Sequence, residues 1–237
     1  MSQLIVALDL PSFKAALSLV DALGDAVDFY KVGSPLYTST GLDAISELRA
    51  RGKRIFLDLK FHDIPNTVAN AVESAAGIGV ELLTLHASGG TAMLRAAREA
   101  LPAGAGPKLL GVTVLTSLSA SDVEEAWAKE IRSLRDEVTR LAGLAAESGL
   151  DGVIASPHEV EPLKRKHGND FLVVTPGIRP AHSNASDHAR AATPTVAIRA
   201  GADFLVVGRP IIQAEDPVAA THAILAEIQA AHEVPAA

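Results

Sequence analysis

The segment that most constrains the fold spans residues 54–67 and reads RIFLDLKFHDIPNT. It begins with the apolar, β-prone character of a buried strand, yet it carries Asp58 and Lys60. Residues i and i+2 of a strand point to the same face, so these two charges should share a face, with Leu57 and Leu59 opposite. Because unpaired buried charge is costly, Asp58 and Lys60 must be compensated, and a structural ion pair between them is the simplest interpretation.

A third charge follows shortly after this pair. Asp63 falls where the strand should give way to a loop, and Pro65 suits the first turn of a helix that continues through residues 66–71. A second carboxylate so close to Lys60 exceeds what charge balance requires. We therefore favour a functional site over a purely structural ion pair.

The rest of the chain alternates between short hydrophobic runs and helical patterns. The predicted strands cover 4–10, 29–36, the segment around Asp58, 82–87, 108–115, 152–156, 171–175 and 204–208. The predicted helices cover 12–23, 41–51, 65–78, 91–101, 121–148, 158–166, 194–200 and 217–231. Hydrophobic strands that are each followed by a helix are typical of a parallel sheet covered on both faces.

Eight such units predict a single α/β domain over residues 1–237, folded as a (β/α)8 TIM barrel. The alternative, an open doubly wound sheet, is less favoured because no G-x-G-x-x-G turn follows the first strand.

The composition excludes several classes of protein. The chain has 237 residues, a size typical of one α/β barrel. Its net charge of −7 argues against nucleic-acid binding, and its lack of cysteine excludes disulfides and thiolate metal sites. No run approaches the roughly 20 apolar residues that span a bilayer, and the N-terminal MSQLIVALDL lacks the basic start of a signal peptide. We therefore expect a cytoplasmic protein with no membrane partner.

Polar residues cluster where the predicted strands end, which is where barrels carry their functional groups. They are Asp9, Lys31, Asp58, Lys60, His86, Thr116, Ser117, Ser156, Arg179 and Arg209. The last two strands end in Gly-Ile-Arg179 and Gly208-Arg209-Pro, where barrels often bind phosphate through backbone N–H groups and a helix N-terminus. Either arginine alone could form a surface salt bridge, but two at these positions, with Lys31 and Lys60, indicate an anionic substrate.

These residues resemble the orotidine 5′-phosphate decarboxylase family. The similarity rests on DLKFHDIPNT at 58–67, on Tyr-Lys31-Val-Gly33 before it, and on Pro-Gly-Ile-Arg179-Pro and Val-Gly208-Arg209-Pro after it. The motifs follow the family's order and spacing over essentially the whole chain. The D-x-K-x-x-D core is shared with sugar-phosphate enzymes of the same suprafamily, whereas the extension H-D-I-P-N-T is far more specific.

The resemblance implies decarboxylation of orotidine 5′-phosphate to UMP and CO2, the last step of de novo pyrimidine synthesis, without a metal or organic cofactor. By similarity, Lys31, Asp58, Lys60 and Asp63 form an array of alternating charge. Lys60 would give the proton to C6, Asp58 would lie beside the substrate carboxylate, and a homodimer would place Asp63 and Thr67 in the partner's site. The other implied contacts are Asp9 and Lys31 to the ribose, Thr116 or Ser117 to the pyrimidine, and Arg179, Gly208 and Arg209 to the phosphate.

The long polar stretch at 179–193 is a candidate lid over the phosphate, with a merely disordered surface loop as the alternative. In the family this lid usually has an Asp-Gln pair, whose Gln bridges phosphate and pyrimidine. Here the pair reads Asp187-His188. Either His188 takes over this contact with a different reach, or the register of the loop differs.

Two other functions remain open at this point. A metal-dependent sugar-phosphate decarboxylase or aldolase would share D-x-K-x-x-D, but such enzymes typically have a Glu ligand for Mg2+ where this chain has Lys31, whose charge would repel the ion. A barrel that only binds nucleotides as a sensor is the second alternative, since fold does not imply function. A pure binder, however, has no reason to keep Asp58, Lys60 and Asp63 together.

We predict that substrate affinity falls toward alkaline pH more steeply in the native protein than in His188→Gln. A phosphate dianion favours the imidazolium form of His188, and deprotonation leaves a neutral ring with one hydrogen-bond donor. The measurement is the pH profile of kcat/KM for both proteins, corrected for ionisation of the phosphate, with the difference expected mainly in KM. Superimposable profiles would contradict the contact and move the search to Ser183, Asn184 and Ser186.

Overall fold

Eight parallel strands close into one barrel in the computed structural model, which describes residues 3–180 and 192–233. The strands are β1 (Gln3–Ala7), β2 (Phe29–Gly33), β3 (Arg54–Phe61), β4 (Leu82–His86), β5 (Lys108–Val112), β6 (Gly152–Ile154), β7 (Leu172–Thr175) and β8 (Phe204–Val207). Each strand pairs with the next along the chain, and β8 closes the circle by pairing with β1. The barrel predicted from the alternating pattern is confirmed, with several strands ending earlier than predicted.

Helices follow the strands and pack around the barrel. They are α1 (Phe13–Leu23), α2 (Ser34–Thr40), α3 (Asp43–Ala50), α4 (Pro65–Gly77), α5 (Gly90–Glu99), α6 (Ala120–Trp127), α7 (Leu134–Glu147), α8 (Val160–His167), α9 (Pro194–Arg199), α10 (Arg209–Ile212) and α11 (Pro217–Glu233). Local chemistry sets several starts: the Ser12 hydroxyl accepts the backbone N–H of Ala15, and Pro65 occupies the first turn of α4. Within the described part of the chain, no helix is long and apolar enough to cross a membrane.

Apart from the short α10, which the sequence did not predict, two helical assignments differ from the sequence prediction. Residues 34–36, predicted as the end of the second strand, begin α2, where Pro35 fits the first turn. The single helix predicted over 121–148 is two helices, because Ala128 ends α6 in the left-handed conformation with φ 48° and the Ser133 hydroxyl caps α7. The apolar periodicity hides this break because both helices face the same core.

The barrel interior is layered, and this layering positions the site. An apolar cluster fills the interior and consists of Ile5, Ala7, Phe29, Phe56, Leu82, Leu110, Val174 and Val206. Side chains alternate along a strand, so the next inward position lies two residues further on. Lys31 follows Phe29 in this way on β2, and Asp58 follows Phe56 on β3. Charge therefore lies directly above an apolar floor, at the carboxyl ends of the strands.

Candidate active site

A cavity of about 480 Å³ opens at the carboxyl ends of the strands, within the usual size range of small-molecule pockets. The interior apolar residues Ala7, Phe56 and Val206 form part of its wall. The residues of the predicted site that line it are Asp9, Lys31, Asp58, Lys60, Thr116, Arg179, Gly208 and Arg209. The fold thus brings together residues that lie up to two hundred positions apart in the chain.

Four of these side chains alternate in charge across the ends of β1, β2 and β3. Lys31 Nζ lies 3.1 Å from Asp9 Oδ1 and 3.5 Å from Asp58 Oδ2. Lys60 Nζ lies 2.8 Å from each carboxylate oxygen of Asp58. Each enclosed charge therefore contacts an opposite one, as a site of low dielectric requires.

The four charges differ in how far they reach the solvent. Asp58 and Lys31 have 12% and 10% of their side chains exposed, whereas Lys60 and Asp9 have 35% and 46% exposed. Burial alone would raise the pKa of Asp58, but attraction to Lys31 and Lys60, with hydrogen bonds from Lys60 and Thr84, outweighs it and holds the pKa below its usual value. Asp58 is therefore a permanent anion at neutral pH, and Lys60 is the ammonium best placed to meet a ligand.

The backbone brings Lys60 to Asp58 in a way that the sequence did not predict. The pairing of β3 with β4 shifts register between Leu57 and Phe61, and Lys60 adopts a left-handed conformation with φ 51°. Asp58 and Lys60 meet as predicted, but not through the regular alternation of a strand. Left-handed residues other than glycine are uncommon and cluster at functional sites.

Gly33 leaves room for the contact between Lys31 and Asp9. A Cβ atom at Gly33 would lie 2.9 Å from Lys31 Nζ and 3.0 Å from Asp9 Oδ1. Both distances are shorter than ordinary contacts, so a larger residue here would push the ion pair apart.

The ends of β7 and β8 supply the predicted anion-binding groups. Gly208 caps the amino end of α10, and Arg209 is its first residue. Arg179, whose Nη1 donates to the carbonyl oxygen of Ile178 at 2.8 Å, lines the same cavity as both. Two residues were predicted to contact the pyrimidine. Of these, Thr116 lines the cavity, whereas Ser117 is exposed and does not line it.

Asp63 and Thr67 lie outside this cavity. Both are exposed and border a separate concavity that is lined by residues from the end of β3 and from α4. Asp63 Oδ1 accepts the backbone N–H of Ile64 at 2.6 Å, and Ile64 is itself 67% exposed. Lys60 borders both the cavity and the concavity.

His188 and most of the predicted lid at 179–193 lie outside the described residues, so the role of His188 stays a prediction. The two ends of this segment are joined: the backbone N–H of Arg179 donates to the carbonyl oxygen of Ala192 at 2.9 Å, next to a parallel bridge between Ile178 and Ala192. Because Arg179 lines the cavity, the two described ends of this segment meet beside it.

Within residues 3–180 and 192–233, no three or more histidine, aspartate or glutamate side chains converge as metal ligands would. The space between the carboxylates of Asp9 and Asp58 is occupied by the ammonium of Lys31. That charge would repel a divalent cation from the two carboxylates.

Sequence reasoning missed two features of the site. The first is Thr84, whose hydroxyl contacts Asp58. The sequence indicated this contact only by one polar residue within the hydrophobic strand LLTLH, two positions after the inward-facing Leu82. The rings of His62 and His86 pack against each other with centroids 5.3 Å apart. Burial lowers the pKa of His86, and the nearby His62 and Lys60 lower it further, so this ring is neutral near pH 7.

Comparisons with known proteins place the chain in one family. The family model described as "Orotidine 5'-phosphate decarboxylase / HUMPS family" matches residues 2–224. An orotidine 5′-phosphate decarboxylase from Nostoc sp. is 48% identical over 233 residues, which cover 95% of this chain and 97% of the relative. One from Moorella thermoacetica is 47% identical over 236 residues, which cover 96% of this chain and 92% of the relative.

A similar solved structure is the crystal structure of orotidine 5′-phosphate decarboxylase from Lactobacillus acidophilus. It aligns with a TM-score of 0.84 at 44% identity, and the match covers 96% of this chain and 99% of that one. The similarity therefore extends over nearly the whole chain in both sequence and fold.

We predict that Asp58→Asn lowers the free energy of unfolding by roughly 1–3 kcal/mol at neutral pH and by progressively less in acid. The folded-state pKa of Asp58 lies below the ordinary 3.8, so ionisation stabilises the fold at pH values above that figure. As pH falls through the depressed folded-state pKa, Asp58 becomes protonated and this contribution is lost. Urea unfolding of the native protein and the variant between pH 7 and pH 3 measures the difference.

The matched control is Asp170→Asn, at an exposed carboxyl that does not line the cavity. Its effect should stay within about 0.5 kcal/mol, as for most surface substitutions. An Asp58→Asn variant that is as stable as the native protein at neutral pH, or a difference that does not change with pH, would contradict the favourable ionisation of Asp58.

Proposed function

The chain belongs to the orotidine 5′-phosphate decarboxylase / HUMPS family and is a carboxy-lyase of pyrimidine biosynthesis, and on that premise we propose how its residues remove CO2 from orotidine 5′-phosphate. The observation that carries the proposal is the contact of Lys60 Nζ with both oxygens of Asp58 at 2.8 Å inside the cavity. This pair places a fixed cation and a fixed anion side by side above an apolar floor.

The reaction needs such a pair because of where charge develops. The bond between C6 and the carboxylate breaks, CO2 leaves, and the electron pair stays on C6 in the plane of the pyrimidine, where the π system cannot delocalise it. A fixed ammonium stabilises the carbanion as it forms: at about 4 Å a full unit-charge interaction is roughly 4 kcal/mol at an effective dielectric of about 20. Lys60 then donates a proton from Nζ to C6, which yields UMP, and its neutral amine is reprotonated from solvent.

Asp58 and Lys31 hold the donor in place. Asp58 binds Lys60 through both carboxylate oxygens, and it would lie beside the substrate carboxylate. Lys31 contacts both Asp58 and Asp9. Lys31 and Asp9 together would hold the ribose hydroxyls. The array needs little reorganisation during the reaction, which is the main requirement of electrostatic catalysis.

The opposite part of the cavity would bind the phosphate. Arg179 and Arg209 can form charge-assisted hydrogen bonds with it, and the absence of a side chain at Gly208 lets the backbone approach it. Thr116 is the residue we assign to the pyrimidine, since it lines the cavity and Ser117 does not. Binding energy from the phosphate would position C6 against Lys60 without taking part in the chemistry.

The metal-dependent sugar-phosphate chemistry found in the suprafamily fits this site less well. Lys31 Nζ lies between Asp9 and Asp58, at 3.1 Å and 3.5 Å. A divalent ion that used these carboxylates would face the charge of Lys31 at short range.

We further propose that the active unit is a homodimer. Asp63 and Thr67 lie on an exposed surface, and next to them Ile64 exposes an apolar side chain. Lys60 borders this same surface, so a partner subunit docked here would bring its own Asp63 toward Lys60. Apolar groups at the centre of a patch with polar groups around them are typical of protein interfaces.

The direct test is decarboxylation of orotidine 5′-phosphate, followed by the loss of its absorbance. We predict that the purified protein converts the substrate at a rate that dialysis against a chelator does not change. We also predict that Lys60→Ala lowers kcat by at least about 1000-fold, because the variant loses both the proton donor and its electrostatic effect. Activity that is lost with the chelator and restored by Mg2+ would favour the sugar-phosphate chemistry. No turnover at all would reject the proposed reaction.

A mixing experiment tests the composite site. We predict that Lys60→Ala and Asp63→Ala, each inactive alone, recover activity when mixed, because the mixed dimer has one intact site. Random exchange makes about half of the dimers mixed, so about one quarter of native activity should return.

The control for this experiment is a mixture of Lys60→Ala with Asp58→Ala. Both of these residues belong to the same barrel, so each site in the mixed dimer stays defective and no activity should return. If subunits exchange and the first mixture also stays inactive, Asp63 acts within its own subunit.

A further inference from the structure

The segment of β3 that carries Lys60, the proposed proton donor, faces a single residue of β4. On β3, Leu57 pairs with Leu83 of β4, and the next paired residue is Phe61, opposite Leu85. Residues 58–60 therefore lie opposite Thr84 alone. A bulge of this kind leaves backbone groups without their ladder partners, and something else must satisfy them.

The hydroxyl of Thr84 meets this need with both of its hydrogen-bonding capacities. It accepts the backbone N–H of Lys60 at 2.9 Å, and it donates its own proton to Asp58 Oδ1 at 2.9 Å. Thr84 is completely buried, with 0% of its surface exposed, so water cannot replace either bond without a rearrangement. One oxygen atom thus ties the main chain of Lys60 to the side chain of Asp58.

From this arrangement we infer that Thr84 is a positioning residue for the decarboxylation, acting through its hydroxyl to hold Lys60 in the left-handed conformation and Asp58 in the orientation that binds the Lys60 ammonium. The inference rests on the proposed roles of Lys60 and Asp58. Thr84 lies below the charged array and is not among the residues that line the cavity, so it does not need to touch the substrate.

The expected consequence is a loss of rate with little loss of binding. Without the hydroxyl, the backbone N–H of Lys60 and the Oδ1 atom of Asp58 each lose a buried hydrogen-bond partner. The Lys60 ammonium is then no longer held at 2.8 Å from both oxygens of Asp58. Displacements of about 1 Å in a reacting group can cost on the order of 100-fold in rate. Groups that would bind ribose and phosphate lie on other strands and keep their places.

The acid limb of the rate profile should move as well. The groups that face Asp58 are Lys31 on β2, Lys60 on β3, and Thr84 with His86 on β4. All except Thr84 remain in a variant that lacks the hydroxyl. The hydrogen bond from Thr84 favours the ionised carboxylate, so its loss moves protonation of Asp58 to higher pH.

The experiment compares Thr84→Val, which keeps the shape but removes the hydroxyl, with Thr84→Ser, which keeps the hydroxyl but removes the methyl group. We expect Thr84→Val to lower kcat by roughly 10- to 100-fold, or about 1.4 to 2.7 kcal/mol at 1.36 kcal/mol per tenfold. Thr84→Ser should stay within about threefold of the native rate. Affinity for UMP, measured by calorimetry, should change less than about threefold in both.

The matched control is Thr175→Val on β7. Thr175 is also 0% exposed, but its hydroxyl has no hydrogen-bond partner among the described residues. The same substitution there should leave kcat and its acid limb unchanged, which separates the role of the Thr84 hydroxyl from the general effect of a buried Thr→Val change.

Several outcomes would overturn the inference. A native kcat in Thr84→Val, or a larger loss in Thr84→Ser than in Thr84→Val, would show that only packing matters. An acid limb that is unchanged in Thr84→Val after correction for ionisation of the phosphate would separate the hydroxyl from Asp58. If Thr84→Val does not fold, Thr84→Ala replaces it, and equal rates in Thr84→Ala and Thr84→Ser would reject the role of the hydroxyl.

The native protein and Thr175→Val, assayed alongside, keep this test distinct from that of the proposed function. If neither decarboxylates orotidine 5′-phosphate, the proposed function fails. If both do, and Thr84→Val matches them, only the role of Thr84 fails.

Discussion

The site depends on one buried carboxylate, that of Asp58, held between two ammonium groups. An isolated charge at this depth would be neutralised or excluded, but Lys31 and Lys60 both lie within 3.5 Å of it. Without Asp58, Lys60 would lose its contacts with both carboxylate oxygens, and Lys31 would keep its contact with Asp9 but lose the one with Asp58. The three charges therefore stabilise one another in the barrel. They are enclosed from below by an apolar layer, formed by residues such as Phe29 and Phe56, that fills the barrel beneath them.

The sequence predicts the barrel well because its evidence is repeated along the chain. Each strand contributes a hydrophobic run, and Lys31 and Asp58 stand out as charges two residues beyond inward-facing aromatics. Breaks within a continuous apolar pattern are harder to predict. The left-handed Ala128 divides one predicted helix into two, although the residues on both sides keep the same periodicity.

The site could be predicted at the level of residue types but not in its backbone geometry. The pair Asp58 and Lys60 is visible in the sequence, and so are the arginines at the ends of β7 and β8. The left-handed conformation of Lys60 is not visible, because it depends on the register between β3 and β4 and on a hydroxyl twenty-four residues away at Thr84. Ser117 illustrates the same limit: only the path of the loop shows that Thr116, and not its neighbour, reaches the cavity.

The register shift between β3 and β4 also limits how this chemistry can be transferred to other barrels. In a regular strand, the Asp and Lys side chains of an Asp-x-Lys sequence would lie side by side on the inward face. Here three residues of β3 occupy the space opposite one residue of β4, and that crowding turns the lysine back toward the aspartate. A designer who copied only the two charged residues onto a straight strand would therefore reproduce the composition of the pair without its geometry. The smallest unit that can be grafted is a piece of two strands, with the extra length of one and the buried threonine of the other.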